Sequence, residues 1–164
     1  MFIIGFTSRR KGVKPMTEGG RILLLLFAAA AAGADLWRGR VFNSMILAML
    51  AAGMWLQAVS TPERIPEVLG TMALTVALLF PFWRAGGLGA GDIKLLAALV
   101  PFMGVQWYIV SFILSFLIGA VISAILLIRY RDPSRTVHFA VPVGISAVLC
   151  LLLEQLGIQS PALF

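Results

Sequence analysis

Apolar positions along this 164-residue chain fall in long unbroken runs. Six stand out, at residues 22–37, 44–59, 66–83, 93–106, 107–128 and 137–157. Nothing alternates with period two, so a strand reading fails. A bilayer core of ~30 Å takes a helix of ~20 mostly apolar residues. Backbone groups in lipid must be hydrogen-bonded internally, which a helix achieves within itself. The pattern predicts an all-α, polytopic membrane protein with about six transmembrane helices. Several runs are shorter than a full span, so polar residues at their ends enter the bilayer or the membrane thins locally. On this reading residues 16–164 form one membrane-embedded domain, and residues 1–15 are a tail of doubtful status.

Composition agrees with the pattern. Hydrophobic residues make up 60% of the chain and charged residues only 12%, about half the roughly 25% of a soluble domain. The net charge of +6 raises the question of nucleic acid. The basic residues stand at the ends of apolar runs, however, where they orient helices and meet anionic lipid. Once the runs are set aside no aromatic-basic surface remains, which argues against nucleic acid as a partner. The single cysteine, Cys150, lies inside an apolar run. It forms no internal disulfide and reads as a small buried hydrophobe.

Charge in the connecting segments gives an orientation. Arg38 and Arg40 follow the first run, Arg84 and Lys94 flank the segment after the third, and Arg129, Arg131 and Arg135 follow the fifth. The alternate segments hold Glu63, Arg64 and Glu67, then an uncharged turn near Gly104, then Glu154. The positive-inside rule places the first set in the cytoplasm and Glu154 near the outer interface. Trp37, Trp55, Trp83 and Trp107 fall at predicted span ends, as an interfacial belt requires. The N-terminus disagrees, because Arg9, Arg10, Lys11 and Lys14 precede the first run on the outer side. Three readings are open: a tail translocated against the rule, a surface-lying amphipathic piece, or a natural start at Met16. A secretory signal is disfavoured, because Ala28–Ala34 runs straight into Asp35.

Two acids stand where an apolar run should exclude them. Asp35 comes thirteen positions after Ile22, after only ~20 Å of helix, still within the membrane or at its inner boundary. Asp92 ends a segment of four glycines, Gly86, Gly87, Gly89 and Gly91, and opens the helix at Ile93. An intramembrane carboxylate costs ~2.5 kcal/mol or more and points to function. The charge-derived topology puts both at the cytoplasmic side, at one depth. Each also has a plain alternative. Asp92 is a good N-cap for its helix, and Asp35 could balance Arg38. The glycines weigh against both, since they cost backbone entropy and suit close approach by another chain.

The residues Gly89, Ala90, Gly91 and Asp92, with Lys94 two positions on, resemble the Gly-x-Gly-Asp motif of prepilin peptidases. Asp35, with Arg38, Arg40 and Asn43 after it, resembles the family's first aspartate motif, although Val41 and Phe42 replace its Ile and Pro. His138 to Pro142 resembles the start of its last helix. Presenilin-type and preflagellin peptidases share the same two-aspartate logic. The resemblance covers nearly the whole chain from about Met16. It implies a membrane aspartyl endopeptidase with Asp35 and Asp92 as catalytic residues. Gly89, Gly91, Arg38, Asn43, Lys94 and Pro142 bind substrate or shape the site. It implies no cofactor and no metal. The partners are a prepilin or pseudopilin substrate and the lipid bilayer, in the cytoplasmic membrane of a prokaryote. Larger members carry a paired-cysteine segment and also N-methylate the product. This chain resembles the short forms beside tight-adherence pilus systems, for which no methyltransferase activity is expected.

The chemistry expected of such a pair is general acid–base catalysis of water attack. Helix ends suggest a division of roles. Asp92, at a helix start, is the ionised base, and Asp35, near a helix end, holds the proton. Lys94 reads more as a snorkelling anchor than as a chemical group. Pro142 either loosens the last helix near the acids or is a tolerated proline of a first turn. His138 has no metal-ligand pattern around it. Two rival functions use the same acids: a small ion or proton transporter, and a non-catalytic membrane subunit docked through them.

Overall fold

The computed structural model describes residues 17–39, 42–130 and 139–158. Every regular element among them is helical: α1 Glu18–Arg38, α2 Asn43–Ser60, a 3₁₀ turn Pro62–Arg64, α3 Ile65–Arg84, α4 Ala90–Tyr130 and α5 Ala140–Gln155. Four stretches are long and apolar enough to cross a membrane, and α5 is a shorter apolar helix. The chain is an all-α, multi-pass membrane protein.

Local chemistry sets the helix ends. Thr17 caps α1, its hydroxyl accepting the Gly20 N–H at 3.2 Å, so one orphan donor of the first turn is satisfied. Gly39 ends α1 in the left-handed region at φ 64°, where a side chain is disfavoured. Pro62 and Pro66 stand in first-turn positions, where no backbone N–H is needed. At the end of α3, Gly86 takes φ 75° and donates to the Trp83 carbonyl, while Gly87 donates to that of Phe82. This pair of bonds is a Schellman cap.

The six runs expected from the sequence correspond to α1, α2, α3, the two arms of α4 and α5. The runs 93–106 and 107–128 join in α4, whose helical geometry breaks at Gly104, φ 68° and ψ 162°. This region is essentially reserved for glycine. The break falls at Gly104, where the sequence places an uncharged turn, because backbone freedom rather than side-chain polarity locates it. The first run begins earlier than expected, at Glu18, because Thr17 caps it. The tail 1–15, Arg40, Val41, Arg131, Arg135 and His138 lie outside the described residues.

Contacts fix the helix directions. Lys94 reaches Asn43 at the start of α2, and Gln57, late in α2, reaches the Pro101 carbonyl. The arm 90–103 therefore runs alongside α2 in the same direction. The arm 105–130 runs opposite to α5, with Ser111 on Ser146 and Phe116 on Phe139. α1 also runs opposite to α5, with Arg21 by Glu154 at one end and Asp35 by Ala140 at the other. Asp92 lies within electrostatic range of Asp35. The first arm thus leaves the aspartate end and the second returns to it, so Gly104 is a corner.

The first arm of α4 is the core. Ile93, Leu95–Val100, Phe102 and Met103 are buried, as expected of a helix that is apolar all round and packed centrally. The other helices and the second arm of α4 turn large apolar side chains outward, Leu26, Leu78 and Leu117 among them, onto what the chain's hydropathy identifies as lipid. Since lipid tails are as apolar as leucine, association rests on close packing and buried polar pairs. Gly53 supplies the first, because a Cβ there would sit 2.7 Å from the Phe102 ring. Thr75 with Tyr108 at 2.7 Å and Ser111 with Ser146 at 2.9 Å supply the second, each worth ~0.6 kcal/mol in a membrane. Trp107 departs from the expected belt. It is 7% exposed because the corner turns it inward.

Candidate active site

Asp35 reaches the interior through the face its helix buries. The buried residues of α1 are Gly20, Leu24, Ala28, Ala31 and Asp35, a stripe at helical spacing. Its small members let α1 lie close to α5. Asp35 is the stripe's last member and is buried. Its Oδ2 accepts the Ala140 N–H at 3.1 Å. Ala140 is the first residue of α5, so its N–H has no acceptor within that helix. The partial positive end of α5 therefore faces Asp35.

Asp92 is the third residue of α4 and half-buried. Its Oδ2 accepts the Gly89 N–H at 3.1 Å, and its own N–H donates to the Gly89 carbonyl at 3.1 Å. This is the acidic half of a capping box, turned back on the residue before the helix. A Cβ on Gly89 would stand 2.8 Å from Asp92 Oδ2, whereas one on Gly91 meets nothing within 4 Å. The glycine-rich segment thus divides its work: Gly86 permits the cap of α3, Gly89 makes room for the Asp92 carboxylate, and Gly91 leaves open space.

The remaining candidates frame the two acids. Lys94 Nζ donates to Asn43 Oδ1 at 3.1 Å, joining the starts of α2 and α4. This gives Lys94 a protein partner beside the anchoring role read from the sequence. The Arg38 guanidinium lies over the Phe42 ring, 5.0 Å from its centroid. Pro142 is the third residue of α5 and buried, a first-turn position where its missing N–H breaks no bond. The sequence reading missed Ala140, which acts through its backbone N–H. Pro142 was a signal for it: a proline in a first turn marks unpaired N–H groups around it.

The chain matches the type IV leader peptidase family over residues 22–124. It belongs to that family. Both aspartates fall inside the matched stretch, while α5 lies beyond it. A curated relative, the "Prepilin leader peptidase/N-methyltransferase" of Xanthomonas campestris pv. campestris, is 30% identical over 132 residues. That alignment takes in 73% of this chain and 45% of the relative, so this type IV leader peptidase family member spans less than half the relative's length. No solved structure matches.

Proposed function

We propose that this chain is an aspartyl endopeptidase of the membrane. It removes the short basic leader from type IV, tight-adherence-like prepilins or pseudopilins at the cytoplasmic side of a prokaryotic inner membrane. The observation that carries this reading is that Asp35 and Asp92 lie at the same end of the bundle, within electrostatic range of each other, in a member of the leader peptidase family.

Acid–base catalysis by such a pair needs one carboxyl charged and the other protonated in the reacting state, the two acting as a unit. The charged member takes a proton from water as the water oxygen adds to the scissile carbonyl carbon. The protonated member gives its proton to the carbonyl oxygen, which yields a tetrahedral diol. In the second step the diol returns a proton to the dyad, the amide nitrogen gains one, and the C–N bond breaks. The leader leaves with a carboxyl end and the pilin with a new amino end. No covalent intermediate forms.

Helix ends no longer divide the two roles. Asp92 sits at the start of α4, but Asp35 faces the start of α5. Each accepts a backbone N–H at 3.1 Å. We propose cleavage without methyl transfer. The 164 residues contain one cysteine, so the paired-cysteine segment of larger members is not among them.

The test is co-expression with a tagged prepilin, following leader removal by mobility and the new terminus by mass. Wild type is expected to cleave and leave an unmethylated amine. Asp35→Asn and Asp92→Asn are each expected to lose at least ~10²-fold, the usual contribution of a general acid or base. Cleavage that survives either change refutes the dyad, and a transporter or docking subunit cleaves in none of the three.

A further inference from the structure

The end of the bundle away from the aspartates holds a cavity of about 460 Å³. It opens between the start of α1, the end of α2, the 3₁₀ turn, the Gly104 corner and the end of α5, and neither Asp35 nor Asp92 lines it. That volume is in the ~300–1,000 Å³ range of small-ligand sites. The lining is of two kinds. Leu56, Phe102 and Trp107 are apolar, while Ser60, Thr61 and Arg64 are polar.

The polar groups around the cavity are mostly committed. Glu154 faces Arg21 at 3.5 Å, and Arg21 also holds Glu18 at 2.9 Å. Gln57 donates to the Pro101 carbonyl and accepts from Thr61. Arg64 differs. It is half-buried, and its guanidinium has no acceptor among the described residues. A guanidinium presents five donors in a planar fork that matches phosphate oxygens in pairs. Arg64 precedes the first turn of α3, where the chain enters the bilayer and lipid phosphates lie. The apolar lining beside it suits the glycerol esters and upper acyl chain of the same molecule.

We propose that this cavity binds a glycerophospholipid, with the phosphate on Arg64 and the acyl region against Leu56, Phe102 and Trp107. The site is separate from the acid pair and holds whatever reaction the aspartates perform. A lipid there joins α2, the corner of α4 and the 3₁₀ turn, so its binding stabilises the folded state by mass action.

The test uses the full chain, delipidated in a maltoside detergent, with Tm followed as short-chain phosphatidylglycerol is added. Wild type is expected to show a saturable rise of roughly 3–6 °C at a tenfold excess over Kd. Arg64→Gln is expected to lose that rise, and Arg84→Gln, at the other end of α3, to keep it. Inorganic phosphate and a diacylglycerol of the same chain length supply the two halves separately, and neither is expected to reproduce the shift. An unchanged rise in Arg64→Gln overturns the proposal, as does a full rise with either half alone. If Arg64→Gln does not fold, Ser60→Trp, which fills the cavity mouth, serves instead. Loss of the rise there supports the site and its persistence rejects it.

Discussion

Gly89 and Gly91 stand two positions apart in one motif, yet their surroundings differ. A Cβ at Gly89 collides with the Asp92 carboxylate, and one at Gly91 enters open space. Gly89→Ala is therefore expected to turn Asp92 away from its N–H partner. Because a shift of ~1 Å at a reacting group costs on the order of 10²-fold, leader cleavage should fall by about that factor with little change in Tm. Gly91→Ala meets no protein atom and should leave stability within about 0.5 kcal/mol of wild type. Wild-type activity of Gly89→Ala in the prepilin assay would remove the steric role given to Gly89. The dyad makes a second residue-scale prediction. In acid both carboxyls are protonated and no base remains; in alkali both are ionised and no acid remains. The cleavage rate should therefore fall on both sides of an optimum, and a profile with only one limb would leave a single carboxyl in the reaction.

At the scale of the element, α4 depends on how its break is satisfied. Gly104 adopts φ 68° and ψ 162°, and Gly104→Ala should cost ~1–3 kcal/mol of stability for strain alone. The break also frees carbonyls at the end of the first arm, and Gln57 Nε2 covers that of Pro101 at 2.9 Å. Gln57→Met keeps the volume and removes the donor, leaving that carbonyl without its side-chain donor at a cost of about 1–3 kcal/mol. Denaturant unfolding of both variants measures these costs. Wild-type stability in Gln57→Met would mean that water or lipid serves the carbonyl instead.

At the scale of the whole molecule, the Gly104 corner decides which ends of the bundle lie together. It returns the second arm to the aspartate end, so Glu63 and Val105 share one side of the membrane and Ala85 faces the other. Single cysteines at these positions, labelled with an impermeant maleimide in intact cells and in inverted vesicles, should divide in that way. The native Cys150 is buried and serves as an unlabelled background. Labelling of Val105→Cys from the Ala85 side would show that α4 crosses without a corner. Positive-inside charge further predicts that Ala85→Cys labels only from the cytoplasm.

The sequence by itself determined the helical class and the membrane as solvent, and it singled out two acids at the ends of apolar runs. These follow from run length, from the cost of a charge in lipid and from local glycine chemistry, all of which act within a few residues. Helix ends were legible only to within a few positions, because the runs record hydropathy while caps such as Thr17 and Gly39 set the ends. Tertiary structure alone decided that Asp35 faces the start of α5, that Lys94 bonds Asn43, and that Trp107 turns inward. Each of these depends on partners far apart in the chain, 105 positions for Asp35 and Ala140 and 51 for Lys94 and Asn43. Hydropathy records how well each residue dissolves in lipid, and does not record which helix lies beside it.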